Sequence, residues 1–289
     1  MSPAAGPVPA ADAATTGPAA SPWLDRAAEL LGGTVAVLTG AGISTDSGIP
    51  DYRGAGAPVR RPMTIQQFVS APSFQQRYWA GSYVGWTRFA AARPNAGHRA
   101  LAELEAAGRV NGVITQNVDG LHMKAGSARV VEVHGSGDRV LCLDCGQVLA
   151  RDTVTERIEA ANPWLVPVAR GPLNPDGDAD VADVSAFVLP RCTVCDGVLK
   201  PDVVFFGEFV PRERFVEASA LVTTADALLV AGSSLAVNSG VRLLEQARRR
   251  RIPIVVVNRG PTKGDRVAAL KIDAGASETL VELQARLLG

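Results

Sequence analysis

The sequence predicts an α/β fold: a parallel sheet with helices on both faces, joined to a small module held by cysteines. Three observations carry that prediction. Short apolar runs at 34–38, 112–115, 130–133, 227–231 and 254–257 read as buried parallel strands, because they lack the polar alternation of a half-exposed strand. The first run leads straight into Gly40-Ala41-Gly42, the strand-to-glycine turn of a Rossmann-like sheet. All four cysteines of the chain fall in two Cys-x-x-Cys pairs. A chain of 289 residues with 47% hydrophobic content suffices for one large domain or two small ones.

Residues 1–22 are mostly Ala, Pro, Gly, Ser and Thr, with Asp12 the only charge, and read as a disordered tail. The tail has neither the basic start and apolar core of a signal peptide nor the arginines of a transit peptide, so a cytoplasmic location is expected. No run of ~18 apolar residues offers a membrane span. Lys+Arg and Asp+Glu both number 29, which argues against nucleic acid or a membrane surface as the main partner. The cluster Arg248–Arg251 closes a helical stretch before the strand at 254–257. Cations favour a helix C-terminus, so a solvated helix end is expected there rather than an anion site.

The loops after the strands hold the polar residues. Gly40 permits a tight turn, and Gly42 lets the backbone approach a pyrophosphate. Thr45 takes the place of the usual third glycine, so the weight falls on Ser44, Asp51 and Arg53. These supply a hydroxyl, a carboxylate and a guanidinium on a loop able to fold over a nucleotide. The strand at 112–115 delivers Gln116, Asn117 and Asp119, and the strand at 130–133 delivers His134-Gly135. The strand at 227–231 ends in Gly232-Ser233-Ser234, and that at 254–257 ends in Asn258-Arg259-Gly260. In open α/β sheets the ligand lies outside the carboxyl ends of the strands, where all of these fall. Of the three histidines, His98, in an early helical turn, and His122 read as structural. His134, at a strand end before glycine, is the candidate general base.

Cys142, Cys145, Cys192 and Cys195 have the spacing of one tetrahedral Zn²⁺ site. Disulfides are disfavoured in a reducing compartment, and a redox Cys-x-x-Cys usually occurs once, at a helix start. Four thiolates fill the coordination shell, so the metal is expected to be structural. Between the pairs lies Asn174-Pro-Asp-Gly-Asp-Ala-Asp180, read as a surface turn. A calcium loop is the lesser reading, because the closing Glu is missing.

Taken together, GAGIS at 40–44, PDYR at 50–53, TQNVDGLH at 115–122, HG at 134–135, the two Cys pairs, KPDVVFFGE at 200–208 and GSS at 232–234 resemble the sirtuins, the NAD-dependent protein-lysine deacylases. Order and spacing match over roughly residues 30 to 280. RYW at 77–79 and DRVLCLDCG at 138–146, with the long insert, are similar to the class II branch, which includes the mitochondrial sirtuin four.

The resemblance implies a Rossmann-like domain from residues 23–51, 93–137 and 206–289. It also implies a helical cofactor-loop insertion at 52–92 and a zinc-ribbon/helical module at 138–205. NAD, the co-substrate, would lie between the two domains. Gly40, Ala41 and Gly42 would face its pyrophosphate, with Ser44, Asp51, Tyr52 and Arg53 on the closing loop. Gln116, Asn117, Val118 and Asp119 would hold the ribose and nicotinamide. Gly232, Ser233, Ser234, Asn258, Arg259, Gly260 and the backbone near Ala276 would hold the adenosine end. An acyl-lysine protein substrate would add as a strand along Val204, Phe205, Phe206 and Gly207. Nicotinamide would leave as the acyl oxygen attacks the anomeric carbon. His134 would then deprotonate a ribose hydroxyl, and the acyl group would end on ADP-ribose. One Zn²⁺ would brace the small module.

Two departures stand out. Tyr52 replaces the phenylalanine of many relatives, a mild change. Tyr83 is followed three residues on by Trp86, where the desuccinylase branch has a tyrosine–arginine pair, so a succinyl or malonyl preference is disfavoured. Three other functions compete. A protein mono-ADP-ribosyltransferase would use the same site but would not need the acyl-transfer base. A non-enzymatic NAD sensor would be expected to lose Asn117, Asp119 or His134. A simple dehydrogenase would need an acidic ribose ligand about 20 residues after the glycines and leaves the zinc module unexplained.

Overall fold

The computed structural model describes residues 22–54, 62–167 and 174–289. In chain order the strands are β1 (Val35–Thr39), β2 (Val110–Thr115), β3 (Val130–Glu132), β4 (Gly135–Cys142), β5 (Val148–Ala150), β6 (Leu199–Val203), β7 (Ala227–Ala231), β8 (Ile254–Val257) and β9 (Leu270–Ile272). The helices are α1 (Pro22–Leu30), α2 (Ile65–Ser70), α3 (Pro72–Ala90), α4 (Ala96–Ala106), α5 (Leu121–Lys124), α6 (Arg151–Ala161), α7 (Arg212–Thr224), α8 (Asn238–Arg250) and α9 (Ala276–Leu288). The expected tail lies outside the described residues except for Pro22, which opens α1.

Six strands form one sheet in the order β3-β2-β1-β7-β8-β9, with every pairing parallel. This is the doubly wound order, and the chain reverses direction of winding between β1 and β7. The apolar strands still alternate between two cores. Val35, Val37, Val113 and Leu229 face Leu31, Leu101, Leu104, Leu280 and Leu283 on one side. Ala36, Leu38, Ile114 and Val230 face Leu221, Val222, Leu243 and Leu244 on the other. Because both faces are covered, β1, β7 and β8 are buried throughout, which is why they read as continuous apolar runs. Register places Thr39 beside Thr115 and Ala231, Thr115 beside Glu132, and Ala231 beside Val257. The loops after these residues therefore share one edge of the sheet.

The strand at 227–231 and that at 254–257 fall where expected. The expected strand at 112–115 starts two residues earlier, at Val110, and that at 130–133 stops at Glu132. β9 was not anticipated, because three half-buried residues carry no periodicity. Val133 and His134 form the link between β3 of the large sheet and β4 of a second, antiparallel sheet ordered β5-β4-β6. The small sheet shares a core with the helices that follow the glycine loop. Phe68 and Trp79 pack with Val140, Val154, Ile158, Leu199 and Phe205, and the Trp79 indole donates to the Leu199 carbonyl at 3.1 Å.

The acidic turn corrects an expectation. It is a turn, closed by Gly177 N donating to Asn174 O at 2.8 Å, but Asn174 and Gly177 are buried rather than at the surface. It is seated on α3, where Ala179 N donates to Gly81 O at 2.9 Å. Gly81 and Gly85 are one helical turn apart, and a Cβ on either would strike the turn's backbone. Two glycines at this spacing open a groove in α3 that a loop can enter. Among the described residues no helix is long and apolar enough to cross a membrane.

Candidate functional site

The site forms where β1 and β7 part. Gly40 continues β1 in an extended conformation, and a short 3-10 turn over Ala41–Ile43 follows. Gly42 N donates to Gly232 O at 2.8 Å. A Cβ on Gly42 would lie 2.9 Å from that oxygen and 3.0 Å from the Gly232 Cα; one on Gly40 would lie 2.8 Å from the Ser233 Cβ. The close approach that these glycines permit is thus first of all to the crossing backbone of the neighbouring loop.

From this crossing Ser44 turns inward. Its hydroxyl donates to Asp119 Oδ2 at 2.7 Å and accepts from Asn117 Nδ2 at 3.1 Å. Asn117 Nδ2 also reaches the Gly40 carbonyl at 3.1 Å. Asp119 Oδ1 accepts from Leu121 N at 2.9 Å. Burial raises the Asp119 carboxyl above its ordinary value, opposed by the bond from Ser44 and that from Leu121 N. Val118 faces the other way, packed with Ile49, Trp86, Phe89 and Leu121.

Gln116 links the two halves of the edge. Its Oε1 accepts from Ser233 Oγ at 2.6 Å, while its Nε2 is buried without a hydrogen-bond partner. The Gln116 main-chain carbonyl lies 2.9 Å from His134 Nδ1. A carbonyl only accepts, so Nδ1 carries the proton and Nε2 holds the lone pair. Ser239 Oγ, 2.9 Å from Nε2, is then the donor. Burial lowers the His134 pKa below the ordinary imidazole value, and the bond to Gln116 works in the opposite direction. His134 is half-buried, whereas His98 and His122 are fully buried with ring centroids 4.8 Å apart. His122 Nε2 lies 2.9 Å from Thr39 Oγ1.

Not every candidate residue joins this cluster. Asp51 Oδ1 accepts from the backbone of Arg53 and Gly54 at 3.2 and 2.5 Å, forming a local turn. The Arg53 side chain is exposed. Tyr52 donates to Asp176. Arg259 is exposed and pairs with Glu278 at 3.6 Å. Asn258 Nδ2 donates to its neighbour's carbonyl, Arg259 O, at 2.7 Å. Gly260 is half-buried, and Ala276 is buried at the start of α9. Ser234 is half-buried beside Ser233 on the Gly232 turn.

Val204 N donates to His134 O at 2.8 Å, so the 204–207 segment starts beside His134. Phe205 turns into the small core against Phe68 and Tyr78, at centroid distances of 5.2 and 5.0 Å. Phe206 stays exposed, and its carbonyl accepts from Ile65 N at 3.0 Å. Gly207 has φ +79° and lies beside Gln66.

Three supporting residues escaped the sequence reading. Asn95 caps α4 and donates to Ile43 O at 2.7 Å and Ser47 Oγ at 3.0 Å, which anchors the glycine loop. The Asn-x-x-His capping pattern was its only signal. Lys200, buried, pairs with Glu208 at 3.2 Å and donates to Val203 O at 2.6 Å, bracing the 204–208 turn. Arg151 lies buried over Trp79 and Trp86, at 5.1 and 4.6 Å from the ring centroids, and donates to Ser82 Oγ at 2.9 Å. Burial lowers its pKa to about 10.

The four cysteine sulfurs lie within 4.8 Å of one another, with Cys142–Cys195 and Cys145–Cys192 both at 3.6 Å. These separations exclude disulfides. They approach the edge of a tetrahedron with metal–sulfur bonds of about 2.3 Å, so the four thiolates fit one structural Zn²⁺.

A doubly wound sheet whose polar edge carries an imidazole fixed in one tautomer, next to a four-cysteine cluster that fits a metal, defines a dinucleotide-binding α/β protein with a structural metal site. The model of the Sir2 family matches residues 40–239, and the chain belongs to that family. It is 53% identical over 273 residues to NAD-dependent protein deacetylase 1 of Mycobacterium avium, covering 93% of this chain and 96% of the relative. It is 47% identical over 251 residues to the NAD-dependent protein lipoamidase sirtuin-4, mitochondrial, of Bos taurus, covering 84% and 79%. A solved Sir2–p53 peptide–NAD⁺ complex superposes with a TM-score of 0.73 at 32% identity, covering 92% of this chain and 97% of that one.

Proposed function

We propose that the protein is an NAD-dependent protein-lysine deacylase that transfers the acyl group to ADP-ribose and releases nicotinamide. One observation carries this reading: His134 is held in a single tautomer, with the lone pair of Nε2 toward the Ser239 hydroxyl. A sugar hydroxyl in the place of the Ser239 hydroxyl would give up its proton there, as general-base catalysis requires. NAD supplies the electrophilic ribose carbon and the leaving nicotinamide. The partnerless Gln116 Nε2 is a donor ready for a ribose oxygen, and the Ser44–Asn117–Asp119 set orients polar groups beside it. The Val204–Phe206 segment adjoins the base and would align an acyl-lysine peptide.

The M. avium relative is named a deacetylase and the bovine one a lipoamidase, so the acyl panel should include both acetyl and lipoyl groups. The remaining site assignments, including Arg53 over the pyrophosphate and Asn258 at the adenosine end, belong to the same proposal. So does a cytoplasmic location, where four unbridged thiols stay reduced for metal. The balanced charge supports proteins rather than nucleic acid or membrane as partners.

Mass spectrometry of one lysine peptide carrying the acyl panel, with and without NAD, tests the activity. NAD-dependent loss of an acyl group with O-acyl-ADP-ribose as co-product is expected. ADP-ribose left attached to protein, with the acyl groups untouched, would overturn it.

A further inference from the structure

The Asn174–Asp180 turn belongs to the cysteine module, yet it reaches the loop that follows the glycine turn. Its backbone is closed by Gly177 N to Asn174 O and by Asn174 N to Asp178 O, at 2.8 and 3.0 Å. It is locked onto α3 through the Gly81 carbonyl, and the Phe89 ring packs beneath Gly177. This seating leaves the Asp176 carboxylate against the Tyr52 hydroxyl, which donates to it. Tyr52 is held on a second side by Phe206, whose ring it meets edge-on at a centroid distance of 6.4 Å.

Burial raises the Asp176 carboxyl to about 6 and lifts the Tyr52 phenol well above 10. At neutral pH the phenol therefore keeps its proton and the carboxylate accepts. Tyr52 sits between Asp51, which forms its own turn, and the exposed Arg53. Three residues earlier, Ile49 packs against Val118 beside Asn117. The hydroxyl that looked like a mild departure in the sequence thus has its own acceptor on another module.

We propose that Asp176 is a positioning residue for the dinucleotide: through Tyr52 it holds the Asp51–Gly54 segment against the site, so that the cysteine-module insert sets NAD affinity. The proposal rests on the reading of this edge as the NAD site. Its consequences fall on dinucleotide binding rather than on chemistry, because neither side chain reaches the His134 lone pair.

The test is calorimetric titration of NAD into wild type, Tyr52→Phe, Asp176→Ala, the double variant and Asp176→Asn, with KM for NAD and kcat measured on an acyl-lysine peptide. Zinc content and Tm serve as folding controls. Each single variant is expected to weaken NAD binding and raise KM by about tenfold, the usual scale for a hydrogen bond to a charged group. At saturating NAD, kcat should change less than threefold. The double variant should be no weaker than the singles, and Asp176→Asn, which keeps an acceptor, should recover most of the affinity.

Multiplicative losses in the double variant would overturn the proposal, because the two residues would then act separately. Unchanged NAD affinity in Tyr52→Phe would overturn it even if Asp176→Ala failed to fold. Wild-type protein that binds NAD but removes no acyl group would sink the deacylase reading, while the titrations would still decide the role of Asp176.

Discussion

His134 Nδ1 lies 2.9 Å from the main-chain carbonyl of Gln116, and this contact makes Nε2 the basic atom. The residue whose side-chain amide nitrogen is left without a partner therefore also sets the tautomer of His134. Nε2 must be unprotonated to act. Burial holds the His134 pKa below its ordinary 6.5, so the basic form persists into mildly acidic solution. The acid limb of kcat/KM in the free enzyme should fall below pH 6.5, and activity should drop only as pH falls through that lower value. His134→Ala should lower kcat by about 10²–10⁴-fold, the range for loss of general-base catalysis, with NAD affinity within threefold of wild type. A pH–rate profile and NAD titration check both; a limb above 6.5 would contradict the burial argument.

Gly42 faces the backbone of Gly232, not open space. An added methyl would lie 2.9 Å from the Gly232 oxygen, and neither backbone can yield without shifting β1 or β7. Gly42→Ala should cost about 1–3 kcal/mol of stability, as overpacking does, and should weaken NAD binding because the glycine loop moves. Thermal unfolding with NAD titration measures both effects. Wild-type values for the two would show that the loops part easily.

The strand runs and their polar ends were legible in the sequence because a parallel sheet buries both faces and exposes its carboxyl edge. Cys142, Cys145, Cys192 and Cys195 were legible because metal knuckles are local in sequence. The seat of the Asn174–Asp180 turn was not. Pro, Asp and Gly report that a chain turns, but not whether a distant helix holds a groove for it. Gly81 and Gly85, the residues that open that groove, carry no sequence signal for it, since a glycine within a helix reports only a loss of local stability. Ser239 was hidden for a similar reason: it lies 105 positions from His134, and only the sheet topology brings them together.

The four sulfurs are spaced for metal, 3.6 Å apart within each of two pairs that cross between the knuckles. Cys142 and Cys192 also lie in the small core with Val140 and Leu199. Removing either of these two loosens packing as well as coordination, whereas Cys195 is exposed and its loss acts through coordination alone. Cys195→Ser should lose the single zinc and lower Tm on the order of 10 °C, since structural zinc binding is folding free energy. Metal analysis and calorimetry check this, and a zinc-free variant with wild-type Tm would refute it. Because Lys200, on β6 of the small sheet, braces the 204–208 turn, peptide affinity should fall with the metal.

His98 makes the pH dependence of folding testable. It sits at the third position of α4, where Nδ1 accepts from Asn95 N at 3.4 Å, and burial lowers its pKa to about 4. The unfolded chain takes up this proton near pH 6.5, before the folded one does. The stability linked to His98 is therefore complete above pH 6.5 and is lost as pH falls toward 4, amounting to about 3 kcal/mol across that window. His122, also buried and depressed, acts in the same direction. Asp176, raised to about 6, acts in the opposite direction but is present in both proteins compared. Glutamine at position 98 would keep an acceptor for the capping box and would not titrate. Between pH 7 and 4.5 the Tm of His98→Gln should therefore fall less than that of wild type, by on the order of 5 °C. Parallel Tm–pH curves for the two proteins would place the acid sensitivity of the fold elsewhere.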